Sequence, residues 1–159
     1  MADKTNAIRI LDKKKLNYTL HDYTNTDAIS GTEIATVLNE DPEKVFKTLV
    51  TVGKSSEHYV FMVPVEKELD LKKAAKAAGE KSIEMIKSKE LLPLTGYIHG
   101  GCSPIGMKKL FKTFIDETAL NFERIYFSAG KIGLQIETSL ENLIKVVPVI
   151  TAEITVTDV

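Results

Sequence analysis

The chain has 159 residues, and its 21 Lys plus Arg stand against 22 Asp plus Glu for a formal net charge of −1. That length suits one domain, since domains commonly run to roughly 100–200 residues, and it can bury a core without disulfides or a structural metal. The charge balance excludes a highly basic nucleic-acid coat and an acidic tail protein, though not a local basic patch, and the lone Cys102 excludes an internal disulfide.

Residues 1–15 carry Lys13, Lys14 and Lys15 and lack the apolar run of a signal peptide. Residues 5–14 place Ala7, Ile8, Ile10 and Leu11 on one side at helical spacing. Residues 18–23 alternate like a short strand, and 24–30 form a polar loop. Ser30 or Gly31 caps the next helix, whose expected buried face is Ile34, Ala35, Val37 and Leu38. Asp41-Pro42 starts a further helical turn. Two strands are predicted over 46–52 and 59–63, joined by a polar hairpin-like segment. Asp70 opens an Ala- and Lys-rich helix that Gly79 ends.

Residues 82–85 are too short to assign. Residues 88–92 predict a helical turn stopped by Pro93, and 96–99 a strand that runs into the loop GGCSPIG. Further strands are predicted over 112–115, 124–127 and 131–136. A short helix follows over 139–144, capped by Ser139 with Glu141 in its first turn. A last strand is predicted over 154–157. The apolar run 146–150 contains Pro148 and falls far short of the about 20 residues a membrane span needs. The expectation is a cytoplasmic protein without membrane association. Strands outnumber helices and many are joined by short turns. This predicts a mixed, mostly antiparallel α+β domain over 1–159, not a doubly wound parallel sheet.

The residues that could carry chemistry are few. His21, His58 and His99 sit in separate segments without ligand spacing, so no metal site is predicted. His58 is expected to be solvated at the hairpin and His21 at a strand surface, while His99 either lines a pocket or does not. Cys102 is a buried structural thiol or a nucleophile, and a reactive cysteine wants a base or an electropositive setting. Ser103 lacks the GxSxG pattern of a nucleophile elbow and is expected to be a hydrogen-bonding loop residue. The glycines of 100–106 and of 130–133 match no phosphate-binding motif. They permit close approach of backbone to a ligand or simply make tight turns. Lys47 stands inside a predicted strand, where lysine is depleted. It is either on a solvated face or aimed into a cleft. No cofactor is implied.

Taken in order, several segments resemble the YbaK/EbsC family of freestanding aminoacyl-tRNA deacylases, relatives of the editing domain inserted in bacterial prolyl-tRNA synthetase. These are His21-Asp22-Tyr23, Val45-Phe46-Lys47-Thr48-Leu49 and Asp70-Leu71-Lys72-Lys73. The most specific are Thr95-Gly96-Tyr97 with Gly100-Gly101-Cys102-Ser103-Pro104-Ile105-Gly106, and Ser128-Ala129-Gly130-Lys131-Ile132-Gly133-Leu134. The resemblance implies a partly barrel-like sheet with the site in a cleft over it. It implies that Lys47 is the essential lysine and that backbone groups at Gly100 and Gly101 hold the amino group and the carbonyl of the reacting ester. Thr48 and Ser128 would surround the aminoacyl group and terminal adenosine, Tyr23 would stand at the pocket entrance, and His99 and Ser103 complete the expected substrate-binding set. Two departures fall in that set. Ser30 stands where family members often carry Phe, and Gln135 stands where they often carry Asp.

The implied function is removal of cysteine from mischarged cysteinyl-tRNA(Pro), with cysteinyl-tRNA(Cys) as a second substrate. The cysteinyl thiol would attack its own ester. The implied partners are the aminoacyl-tRNA 3′ end and prolyl-tRNA synthetase. The alternatives are an alanyl-tRNA(Pro) deacylase using water, and a noncatalytic module that binds a tRNA end or a synthetase.

Overall fold

Most helix starts in this chain are set by short polar side chains. In the computed structural model, which describes residues 4–157, Thr5 accepts the Ile8 amide and caps α1 (Asn6–Lys13). Ala7, Ile8 and Leu11 of that helix are buried, as their spacing predicts. The first three residues of the stretch weighed for a signal peptide, and the last two of the chain, lie outside the described residues.

Eight strands follow in chain order: β1 (Thr19–Asp22), β2 (Phe46–Gly53), β3 (His58–Pro64), β4 (Ile83–Met85), β5 (Lys112–Asp116), β6 (Ile125–Lys131), β7 (Leu134–Thr138) and β8 (Val149–Ala152). They form two sheets. One is antiparallel, in the order β1-β7-β6, and the other runs β4-β2-β3-β5-β8. In the second, β2 is antiparallel to β3 and β4, while β5 is parallel to both β3 and β8. Val45 bridges Tyr126 in parallel, so the sheets meet where β2 begins. The mixed, mostly antiparallel α+β architecture is the expected one.

The main core lies between the sheets and under α1 and α5 (Leu140–Val146), and includes Leu11, Phe46, Met62, Phe127, Ile136 and Leu143. A second cluster joins Phe61, Val63, Phe114 and Ile154 to Ala74 and Ala75 of α3 (Leu71–Ala78). Met62 thus enters one core and its neighbours Phe61 and Val63 the other. A strand covered on both faces reads as an unbroken apolar run, which is why β3 lacks alternation.

Several boundaries differ from expectation. Residues 96–99 are not a strand. The helix α4 (Ser88–Thr95) runs through Pro93 and ends on Gly96 at φ +88. Tyr97 is then pinned inside, its hydroxyl donating to the Ile105 carbonyl at 2.7 Å. Pro93 does not stop that helix; Thr95 Oγ1 donates to the Leu91 carbonyl at 2.8 Å within the turn around it. The strand expected over 131–136 begins at Leu134, because Gly133 at φ +104 turns the β6–β7 hairpin.

Residues 154–157 make only an isolated bridge between Thr155 and Leu69. The final strand is instead β8, directly after Pro148, whose carbonyl accepts the Thr113 amide at 3.1 Å. Residues 83–85 form β4 on the edge of β2, and Glu117–Asn121 form a 3₁₀ turn that the sequence pattern does not signal. In α2 (Gly31–Val37), Ile34 and Ala35 are buried but Val37 is 47% exposed, because a helix this short covers only a narrow stripe.

Candidate active site

A cleft of about 420 Å³ opens where the two sheets meet, a size typical of small-molecule pockets. The start of β2 supplies Phe46 to Leu49, β6 and β7 supply Phe127, Ser128 and Gln135, α2 supplies its first turn, and the loop after α4 supplies His99, Gly100 and Cys102. Of the residues expected at the site, Tyr23, Ser30, Lys47, Thr48, His99, Gly100, Ser128 and Gln135 all line this cleft.

Two do not. Ser103 is fully buried and its hydroxyl accepts the Ile105 amide at 3.2 Å, so it shapes the loop from within. Gly101 lies just behind Gly100, pressed on the neighbouring hairpin, where a Cβ would come within 3.0 Å of the Ile132 amide nitrogen. Gly100 itself has φ +85, a conformation that side-chain-bearing residues rarely adopt. Gly100 therefore brings bare backbone to the cleft edge, while Gly101 packs behind it with its amide donating to the Ile98 carbonyl at 3.0 Å.

Lys47 faces Val63 in the β2–β3 ladder and keeps a side chain only 28% exposed. It lines the cleft instead of standing on a solvated face. Its ammonium is 3.6 Å from Glu68 Oε1, but that glutamate is 82% exposed and its hold is screened by water. Tyr23 is buried in the wall, not perched at the rim, and burial raises its phenol above the ordinary value. Ser30 Oγ accepts the Glu33 amide while the Glu33 carboxylate accepts the Ser30 amide, a capping box that fixes α2 against the cleft. Ser128 Oγ accepts the Gly130 amide at 3.1 Å.

Cys102 also lines the cleft, but burial pushes its thiol up to about 12. It is a neutral thiol at physiological pH and a poor nucleophile. The histidines stay apart. His21 contacts Glu137 Oε1 at 2.7 Å, His58 meets the Phe111 ring edge-on rather than water alone, and His99 is exposed at the cleft mouth. Burial alone would raise Glu137, but hydrogen bonds from His21 and Arg124 hold it low. Among the described residues no three His, Cys, Asp or Glu side chains converge as a metal-holding set.

Sequence reasoning missed Glu40. Its Oε1 accepts a hydrogen bond from Gln135 Nε2 at 2.9 Å across 95 positions of sequence. Burial pushes the Glu40 carboxyl above its ordinary range, with the Gln135 hydrogen bond pulling the other way. The only local signal is Asn39 before it, a residue type that tolerates the left-handed turn ending a helix; here its φ is 55.

A family model for the aminoacyl-tRNA editing domain matches residues 26–146, which takes in most of the cleft. The chain belongs to the aminoacyl-tRNA editing domain family. It is 44% identical over 153 residues to a protein of Enterococcus faecalis named as a Cys-tRNA(Pro)/Cys-tRNA(Cys) deacylase, EbsC, covering 96% of this chain and 93% of that one. The YbaK/EbsC resemblance is thereby borne out. Among solved structures, one described as a trans-editing enzyme for prolyl tRNA synthetase superposes with TM-score 0.85 at 21% identity, over 98% of this chain and all of that one. A hypothetical protein superposes with TM-score 0.87 at 20% identity, over 96% of this chain and 100% of that chain. These two likenesses concern the fold alone. No helix among the described residues is long and apolar enough to cross a membrane.

Proposed function

We propose that this chain hydrolyses cysteinyl-tRNA, removing cysteine from tRNA(Pro) and from tRNA(Cys), by a reaction in which the substrate brings its own nucleophile. The observation that carries this reading is a cleft that sets the Lys47 cation beside bare backbone while its one protein thiol, Cys102, is held neutral by burial. An aminoacyl ester is already activated, so positioning and charge stabilisation suffice.

The cysteinyl thiol gives up its proton and its sulfur attacks the ester carbonyl. A carbon–sulfur bond forms, the carbon–oxygen bond to the terminal ribose breaks, and the ribose oxygen takes a proton as the tRNA leaves. The product is a thiolactone that water then opens to cysteine. Lys47 would offset negative charge at the ribose or its phosphate, and the Gly100 backbone at the cleft edge would face the carbonyl, while the Gly101 amide, expected to share that task, is already given to the Ile98 carbonyl at 3.0 Å. Tyr23, Ser30, Thr48, His99 and Ser128 would enclose the aminoacyl and adenosine groups, with Ser103 shaping the loop beneath. Named likeness to EbsC supports the substrate. A domain of this size offers little surface to the body of a tRNA, so prolyl-tRNA synthetase, in the cytoplasm, would supply tRNA selectivity.

The test is single-turnover deacylation of cysteinyl- and seryl-tRNA(Pro). Serine has nearly the same shape and a far poorer nucleophile at neutral pH. Much faster release from the cysteinyl form is expected. Equal rates would exclude thiol assistance, and rapid alanyl-tRNA(Pro) hydrolysis with slow cysteinyl hydrolysis would assign the site to water attack.

A further inference from the structure

The end of α2 is built to place one carboxylate. Asn39, in the left-handed conformation, donates its amide to the Thr36 carbonyl at 3.2 Å, and the Glu40 amide donates to the Ala35 carbonyl at 2.8 Å. This paired closure ends the helix and fixes the backbone from which Glu40 departs. Glu40 Oε1 then meets Gln135, which is 3% exposed and lines the cleft.

A primary amide can turn over and exchange its donor for its acceptor, but an ionised carboxylate only accepts. Glu40 therefore selects the orientation in which Gln135 Nε2 faces away from the ligand space. Gln135 Oε1 is left buried and without a partner, and Thr48 Oγ1 on the same cleft and Glu40 Oε2 behind it are in the same condition. Buried unpaired acceptors are costly, so a ligand donor that reaches them gains what the empty site lacks.

The donor best matched is a cation, because the Glu40 carboxylate lies directly behind the amide. The groups facing Glu40 are Gln135, His21, Glu137 and the Tyr126 phenol, and Glu137 is already committed to His21 and Arg124. We propose that Glu40 is a positioning residue that makes Gln135 a one-way acceptor for the α-ammonium group of an aminoacyl ester, so that the site demands a free amine. The inference rests on the editing reading above and deepens it. It adds a selectivity that spares peptidyl-tRNA and N-blocked aminoacyl-tRNA, whose nitrogen carries no charge.

The experiment measures binding of a non-hydrolysable probe, cysteine joined by an amide to 3′-amino-3′-deoxyadenosine, with its α-amine free or acetylated. Wild type is expected to prefer the free amine. Glu40→Gln keeps the size of the side chain but lets both amides turn over, and the ratio of the two Kd values is expected to fall about tenfold. Adding Gln135→Glu to Glu40→Gln exchanges acceptor and donor and should restore the preference, which a loss of structure would not allow. A wild-type ratio near one, an unchanged ratio in Glu40→Gln, or no recovery in the folded double variant would overturn the proposal. Deacylation of cysteinyl-tRNA by wild type is scored separately, so an amine-selective protein without turnover would sink the editing reading and leave this one standing.

Discussion

Lys47 carries a charge in a strand where its neighbours Phe46 and Val50 are buried. Its nearest acid, Glu68, is mostly in water, so the ammonium keeps most of its capacity for a new anion. Lys47→Ala is expected to lower kcat/KM for cysteinyl-tRNA by about 10²–10³ with an unchanged circular dichroism spectrum. Wild-type turnover by the folded variant would remove Lys47 from the mechanism. Cys102 makes the opposite case. With its thiol pushed up to about 12, the native protein should resist iodoacetamide at pH 8, and Cys102→Ser should keep most of the deacylation rate. Rapid alkylation, or complete loss of activity in a folded Cys102→Ser protein, would assign the nucleophile to the chain.

At the scale of elements, the cleft wall depends on where α2 begins. Ser30→Ala removes one half of the capping box, which typically costs about 1 kcal/mol and lowers Tm by roughly 2–4 °C in a chain of this size. A thermal melt checks this, and an unchanged Tm would mean that the Ser30 hydroxyl contributes nothing to the helix start. Elements whose signals are local were legible in the sequence. Ser30, Asp70 and Ser139 cap the helices their residue types suggest. The β2–β3 hairpin follows from two apolar runs around a polar turn. Residues 96–99 misled because Tyr97 and Ile98 have strand-like propensity, while the outcome was decided by the cap at Gly96 and the distant Ile105 carbonyl. β8 was illegible because its parallel pairing with β5 is non-local and Pro148 precedes it.

For the molecule as a whole, proton linkage sets the alkaline limit of stability. Burial first, then the hydrogen bond to Asp12, pushes Tyr18 up to about 12. Burial pushes Tyr97 and Cys102 up to about 12 as well. The unfolded chain releases these protons near the ordinary values of 10.0 for the phenols and 9.0 for the thiol, while the folded chain retains them. Their contribution is therefore present in full below about pH 9 and is lost as pH rises toward 12. The urea midpoint should fall steadily from pH 9 to pH 11; a flat profile would contradict these shifts. Activity should survive exhaustive chelation, since no metal-holding cluster is seen among the described residues, and zinc-restored activity would contradict that expectation.

The cleft was readable in the sequence only through the family resemblance, which implied a single site over the sheet and pointed to eight of its lining residues; their spacing alone did not show that they converge. Glu40 was hidden because its partner is 95 positions away and no motif marks it.

The strand order also bears on how the protein is made. Thr19 of β1 pairs with Glu137 of β7, and β5 lies between β3 and the late strand β8. A chain emerging from the ribosome with its N-terminus first exposes β1 and one edge of β5 long before their partners are synthesised. During that interval both strands are open to pairing with other nascent chains. Completion of the cleft, which needs Ser128 and Gln135 beside Lys47, is therefore a late event in the life of each molecule. A ribosome stalled before β7 would hold a protein with its lysine in place and no pocket around it.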